Sequence, residues 1–588
     1  MSQEAEKEEA LEQERREIKE AREKGRLSLL GTFIKLSGPG WLQSAITLGG
    51  GSLASGLYLG MIGGKSMLWV QPLAMILGVI MLSSIAYVTL TSRERPFDAM
   101  RKHVNPVLAW GWLIATVTAN MVWALPQFSL ATAAIRQNLA PQMLGEMADM
   151  PAQLICVGAI LAVCITLIWF YDTGSTGVKI FEGLVRCMVG LIVVAFIGVV
   201  IKLSFSAQGI DWANVLPGFI PDIDLLWSPP ETYDPFLQDL TAQGRQYWSD
   251  LIVDNQRDRM IAASAVAVGI NMTFLLPYSM LKRGWDRDFR GLATFDLATG
   301  LFIPFMLVTS CIILSSATQF HTQPSPGLLP DSDVPESQAS EDIRNRYNGL
   351  LQTRAKNQVK NEMGQEQFAA LSEQQQQERI QEGMQELPRG EKEIAAMVVN
   401  RDAFDLAESL QPLTGKIFSH YVFGAGVVGV AVSSVIILML INGFAVCEAL
   451  GIPSSGYPYR FACMAPAVGA LGPFVWSGAS FYLAVPTSVF CMSLLPVAYI
   501  GFYLMMNQRS LLGEDTPTGG WSVLFNSLMG IAVLYAGAAS LWSVWSKGGY
   551  WGLSVAAGFI LLVLIVQFTH VAPDITLGEG EDEQEGPA

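Results

Sequence analysis

Charge is what this sequence has least of. Of its 588 residues 15% are Asp, Glu, Lys or Arg, while 51% are hydrophobic. A water-soluble domain carries about 25% charge, so the composition argues against an ordinary globular enzyme. Histidine is scarcer still: four residues, His103, His321, His420 and His570, too scattered to form a metal cluster. The seven cysteines, at 156, 164, 187, 311, 447, 463 and 491, all fall within or beside apolar runs, so no disulfide framework is implied. Walker, HExxH and GxSxG patterns are missing, which leaves ATP-driven and hydrolytic chemistry without support. Asp172-Thr173-Gly174-Ser175-Thr176-Gly177 matches a short aspartic-protease pattern. That chemistry needs two apposed carboxylates, and with no second copy the stretch reads as a loop. The chain is therefore not expected to be an enzyme. With 37 basic and 52 acidic residues it also lacks a nucleic-acid footprint.

What the sequence has is long apolar runs. Crossing about 30 Å of hydrocarbon takes roughly 20 apolar residues, and twelve such segments lie near 38–62, 67–91, 107–135, 153–171, 178–203, 260–281, 293–317, 416–441, 458–476, 481–506, 522–545 and 549–570. The acids concentrate outside them, in 1–26, 208–258, 318–412 and 573–588, so the short loops are left basic. Arg93, Arg95, Arg101 and Lys102 follow the second span, and Lys282, Arg283, Arg287 and Arg290 follow the sixth. The positive-inside rule then puts both termini in the cytoplasm of a multi-pass cell-membrane protein whose immediate partner is the lipid bilayer.

The expected organisation is a cytoplasmic polar helix over 1–32, a transmembrane core over 33–317, an extracytoplasmic insertion over 318–412, further spans over 413–572 and an acidic cytoplasmic tail over 573–588. Within the core, 208–258 lies outside the membrane and carries Trp227, Tyr233, Phe236 and Trp248, which suits a folded cap. The Gln- and Glu-rich insertion shows little apolar periodicity and is expected to be partly disordered.

Inside the first span, Gly38-Pro39-Gly40-Trp41 is followed by Gly49-Gly50-Gly51-Ser52. Three successive glycines cost a helix about 1 kcal/mol each relative to alanine, so the helix is expected to open there. Unwound backbone at that depth is tolerated where it lines a cavity or is buried in protein, and discontinuous helices mark the binding sites of secondary transporters. The competing reading is that small residues let two helices approach closely.

At this point the chain resembles the Nramp (natural resistance-associated macrophage protein) family of proton-coupled divalent-metal transporters. The first span is similar to that family's Gly-Pro-Gly entry and broken-helix metal motif. In the same order, Gly177-Val178-Lys179-Ile180-Phe181-Glu182 resembles the start of its fifth helix and Phe295-Asp296-Leu297-Ala298 that of its seventh. Ala431-Val432-Ser433-Ser434 lies in an eighth-helix context, and Leu495-Pro496 through Leu511-Leu512-Gly513 is similar to the tenth helix and its exit. The resemblance implies an all-α integral membrane protein with a LeuT-like fold of about twelve transmembrane helices, an inverted 5+5 repeat plus two more.

The departures fall on the chemistry. Where the family has Asp-Pro-Gly-Asn the chain has Gly49–Ser52, and where it has Met-Pro-His the best alignment places Asn271-Met272-Thr273, with Tyr278 at a later histidine. Acids of the proton route appear as Asn120 and Trp123, and Ser488 stands near a frequent glutamine. Gly49, Gly50, Gly51, Ser52, Asn271 and Thr273 are thus the candidate substrate-binding residues. Thr47, Asn120, Tyr278 and Ser488 are candidates for the pathway, and Met272 is the one candidate metal ligand. For each polar residue the alternative is plain interhelical hydrogen bonding, and for Met272, packing.

The resemblance implies a metal-ion transporter and the substitutions imply altered specificity. Bare amides at Gly49–Ser52 would suit a small anion or the carboxylate of an amino acid, and carbonyls there could hold Na⁺. No cofactor is expected beyond a coupling ion, Na⁺ or H⁺. A non-transporting sensor or scaffold is the remaining alternative, and the oligomeric state is open. Gly50→Leu is expected to abolish uptake while leaving folding largely intact.

Overall fold

The computed structural model describes residues 2–171, 196–205, 212–329, 339–409, 421–475 and 482–569, with isolated residues between them. The Asp172–Gly177 and Gly177–Glu182 motifs, His420, His570 and the tail over 573–588 lie outside the described residues. The chain is helical, with no strand among the described residues. The longer helices are α1 (Ser2–Lys24), α2 (Arg26–Leu36), α3 (Pro39–Thr47), α4 (Gly50–Gly63), α5 (Val70–Ser92), α6 (Pro96–His103), α7 (Pro106–Ala134) and α8 (Asp149–Tyr171). They are followed by α9 (Ala242–Ala267), α10 (Ile270–Arg283), α11 (Ile303–Phe320), α12 (Glu341–Met363), α13 (Glu373–Glu386) and α14 (Arg389–Val398). The last three are α15 (Phe423–Leu450), α16 (Ala484–Met506) and α17 (Gly519–Thr569).

Eight described helices are long and apolar enough to cross a membrane, nine when the bent pair α3/α4 is counted as one. Gly549, at φ 53°, divides α17 into two, where the eleventh and twelfth spans were expected to part. The fifth span falls largely outside the described residues. The ninth, expected over 458–476, is no continuous α-helix: a short helix Gly456–Ala462 leads into a 3₁₀ stretch Ala465–Leu471 and one turn Gly472–Val475. Pro466 and Pro473 cannot supply helical N–H donors there. A Cβ at Gly469 would stand 2.5 Å from that of Ala124, so this irregular strip lies tight against α7.

Two helices are broken at the centre of the bundle. α3 and α4 are bent by 52° across Leu48 and Gly49. α9 and α10 are interrupted at Val268 and Gly269, both in extended backbone. α9 also starts in the cap, eighteen residues before the span expected over 260–281. α7 runs beside both breaks. Its start is fixed by Pro106 in the first turn and by Asn105, whose side chain accepts from the N–H of Val107 and of Leu108 (2.9 and 3.2 Å).

The two ends of the bundle differ. At one, α1 docks on the basic loop after α10: Arg15 pairs with Asp286 (2.6 Å), as does Arg93, and Arg287 pairs with Asp515 (2.7 Å). The loops after the second, sixth and tenth spans thus meet the N-terminal helix at one end. At the other, the described part of the insertion folds into α12, α13 and α14, although the sequence shows little apolar periodicity there. Ile343, Tyr347, Leu351 and Ala355 recur every four residues along α12 and are buried. Such spacing makes an apolar stripe, missed among the charges. Ser372 and Gln375 close a capping box at the start of α13. A buried Arg354–Glu391 ion pair, joined by the Trp248 indole N–H at 2.9 Å from Glu391, ties the insertion to the cap.

Candidate transport site between the two broken helices

The ends of the broken helices enclose a cavity of about 20 Å³, room for one water-sized particle. Ile46 and Thr47 end α3 on one side of it, and Gly51 and Ser52 begin α4. Val266 of α9, with Asn271 and Met272 of α10, forms the opposite wall. α7 contributes Trp123 and Gln127, and α15 contributes Ser434 and Leu438. The N-termini of α4 and α10 and the C-termini of α3 and α9 all point to this place. The helix dipoles therefore bring both signs and give no net anionic preference.

The glycines act by their size. A Cβ on Gly50 would lie 2.5 Å from Leu130 Cδ2 and 2.8 Å from Gln127 Oε1, and one on Gly51 would lie 2.9 Å from Val266 Cγ1. One on Gly49 would overlap the Ser434 hydroxyl. The break sits at Leu48 and Gly49, with Gly50 and Gly51 already in the first turn of α4. Nor are its amides bare: the N–H of Gly49 donates to Ile46 O (3.2 Å), that of Gly50 to Gln127 Oε1 (3.2 Å) and that of Ser52 to Gly49 O (3.1 Å).

The hydroxyls are turned the other way. Thr47 Oγ1 donates to Met272 Sδ (3.1 Å), Ser52 Oγ donates to Thr47 O, and Ser434 Oγ donates to Val430 O (2.9 Å). A hydroxyl has one proton and two lone pairs, so each turns acceptor capacity towards the cavity. Asn271 Oδ1 accepts from Met272 N–H (2.8 Å), while its Nδ2 is buried without a protein partner. Met272 N–H has a second acceptor in Gly269 O (3.0 Å), so a half-turn of the carboxamide would bring an oxygen to the cavity without orphaning that amide.

Of the candidates read from the sequence, Thr47, Gly51, Ser52, Asn271 and Met272 meet at the cavity. The others stand around it. Gly49 and Gly50 are packed as described. Thr273 Oγ1 receives the Trp112 indole N–H (2.9 Å) and donates to Ile270 O. Asn120 donates to Asn442 (2.7 Å), and Ser488 holds the Trp123 indole N–H (3.2 Å). Tyr278 stacks on Phe274 with centroids 4.5 Å apart. Gln127 and Ser434 were not among the candidates. Gln127 follows Asn120 by seven residues, two helical turns on an otherwise apolar face, and that spacing was the available signal.

The model of the Natural resistance-associated macrophage protein-like (Nramp) family matches residues 40–333 and 391–545. The chain belongs to the Nramp family. Among solved structures, this Nramp chain is similar to the Eremococcus coleocola manganese transporter in complex with an aromatic bis-isothiourea substituted compound. That likeness has TM-score 0.58 and 14% identity and covers 92% of this chain and 94% of that one. A histidine-to-alanine mutant of the same transporter gives TM-score 0.55 at 13% identity over the same shares. Searched by sequence, no curated protein matches. The fold is LeuT-like and the Nramp chain is a multi-pass membrane protein. The family match resumes only at residue 391, so α12 and α13 are additions to the Nramp core.

Asp296, at the expected start of the seventh helix, is an anchoring charge: its carboxylate accepts from the N–H of Gly38 (3.1 Å) and of Gly40 and from the Ser37 hydroxyl, which pins the start of α3.

Proposed function

We propose that this Nramp protein is a secondary transporter of a metal ion whose site carries no side-chain charge. One observation carries the reading: the hydroxyls of Thr47, Ser52 and Ser434 all send their protons elsewhere and offer lone pairs to one small cavity. Lone pairs attract a cation and repel an anion, and three hydroxyl acceptors outweigh the one free donor, Asn271 Nδ2, in favour of a cation. A volume of about 20 Å³ has no room for an amino acid. Thr47, Ser52, Gln127, Asn271 and Ser434 converge on the cavity beside Ile46, Trp123, Val266 and Leu438, and that convergence of polar groups favours transport over the sensor reading.

Family membership, and a fold shared with a manganese transporter, make a metal ion the first candidate. The cation would be stripped of most of its water to fit. Asn271, after its half-turn, and Met272 would complete the set. A thioether favours softer transition ions over Mg²⁺ or Ca²⁺. Without a carboxylate, affinity for a divalent ion is expected to be lower than in a charged site and discrimination against Na⁺ weaker. No titratable group lines the cavity, so a pH gradient is not expected to drive uptake through it. Alternating access would follow from rocking around the two breaks. We also read the end that gathers α1 and the basic loops as cytoplasmic.

Uptake into liposomes, screened across Mn²⁺, Mg²⁺, Na⁺, bicarbonate and amino acids with and without a pH gradient, tests this. Saturable metal uptake insensitive to the gradient is expected. Uptake of none of the metals would refute the transporter, and tight, proton-driven Mn²⁺ uptake would refute the altered specificity.

A further inference from the structure

The strongest unexplained feature lies in the half of the molecule that carries the insertion. The cap, the insertion and the outer ends of α4, α9 and α11 meet there around two buried arginines. Arg259 of α9 is 1% exposed and donates through Nη2 to Asn400 Oδ1 (2.6 Å), with its guanidinium 5.3 Å from the Tyr58 ring centre. Its Nε and Nη1 are buried without a protein partner. Arg401 is 3% exposed, donates through Nη2 to Gln323 O and lies 4.8 Å from the Phe320 ring centre, and its Nε is likewise unpartnered. Between them is Tyr233 of the cap, fully buried, with its hydroxyl unpartnered too. The charges of both Arg259 and Arg401 bear on that phenol, whose ring meets His321 edge-on at 5.5 Å.

The neighbouring carboxylates do not account for this positive charge. Asp402 and Asp405 both feel Arg346, and Asp405 also acts on Arg401. Burial pushes both carboxyls up, and the Asp402 charge raises Asp405 further, so the two acids disfavour being ionised together. Asp258, next to Arg259 in sequence, is paired with Lys547 (2.5 Å). Arg259 thus has no carboxylate of its own, and a buried guanidinium is costly unless paired and hydrogen-bonded.

We infer that this junction is a binding site for a small monovalent anion of the chloride or bicarbonate kind, held by the free N–H groups of Arg259 and Arg401 and by the Tyr233 hydroxyl. Tyr58 and Phe320 turn their ring faces to the guanidiniums, and the few free donors of a dry junction suit a compact, singly charged ion better than a strongly hydrated sulfate. Arg259 precedes Val266 of the cavity wall by seven residues, so the site lies about 10 Å along α9 from the cavity. The inference does not depend on what the cavity transports, because its test reads binding alone.

The purified full chain in detergent is unfolded thermally at fixed pH and ionic strength, with gluconate replaced stepwise by chloride or by bicarbonate. A saturable rise in midpoint with at least one of the two is expected, and the stronger ligand identifies the natural one. Arg259→Gln and Arg401→Gln should each raise the half-saturating concentration tenfold or more. No rise over gluconate with either anion, or an unchanged titration in Arg259→Gln, would overturn the site. Should the arginine variants fail to fold, Tyr233→Phe removes only the hydroxyl. At least a threefold weakening is expected from it, and an unaltered titration would count against the assignment.

Discussion

The two breaks at the centre of the bundle do different work. The first has three glycines, and each is packed so closely that a methyl group would collide with another helix: α15 at Gly49, α7 at Gly50 and α9 at Gly51. The second has one glycine, Gly269, pressed against the Trp123 indole (2.5 Å from an added Cβ), with Asn271 and Met272 in the first turn of the helix that follows. The first break therefore sets how near four helices can come, and the second supplies the adaptable side chains. Between them they line one small cavity with neutral polar groups and one sulfur, beside Ile46, Trp123, Val266 and Leu438. The unwinding of an α/α junction and the chemistry of the site are separable properties of the sequence.

Substitutions can break that division of labour. The largest effect is expected from Gly50→Leu. Its Cβ alone would overlap Leu130 and Gln127, and overpacking on this scale costs about 3 kcal/mol or more. Contrary to the expectation from sequence, thermal unfolding should show a clear loss of stability together with lost uptake. Asn271→Leu should separate the two readouts. It removes a buried donor that has no protein partner, so stability should hold or rise, while uptake falls by about tenfold, the equivalent of roughly 1.4 kcal/mol. An Asn271→Leu protein transporting at the parental rate would remove Asn271 from the site. Gln127→Leu strands the Gly50 N–H, at about 1–3 kcal/mol for an unpaired buried donor, and denaturant titration would detect it. The smallest effect is expected at Met272→Leu. That swap keeps volume and costs less than about 1.5 kcal/mol, and it also takes the acceptor from the Thr47 hydroxyl, so uptake of both ions should fall, that of Mn²⁺ a few-fold more than that of Na⁺. Equal effects on both ions would show that the sulfur only packs.

How much of this was legible beforehand depends on the range of the interaction. The triple glycine is a local signal, and it located the first broken helix to within a residue or two without coordinates; the second break, at Val268 and Gly269, came from the structure. Family membership was legible for the same reason, since helix starts and exits are short motifs in a fixed order. The stripe of Ile343, Tyr347, Leu351 and Ala355 in the insertion was missed although it is in the sequence, because the charges between those positions mask it.

From the sequence alone come the membrane spans, the break in the first helix and the loss of acidic ligands, each a matter of composition or backbone propensity within one turn. Only the tertiary structure decided that the glycines serve close packing and that Gln127 occupies the Gly50 amide. It alone brought Ser434 to the same cavity as Thr47 and Ser52, and set two arginines from distant segments around one tyrosine. The physical reason is that a hydroxyl proton or a buried donor has no fixed partner until helices hundreds of residues apart are packed. Whether a polar group offers a proton or a lone pair is then settled by its neighbours in space.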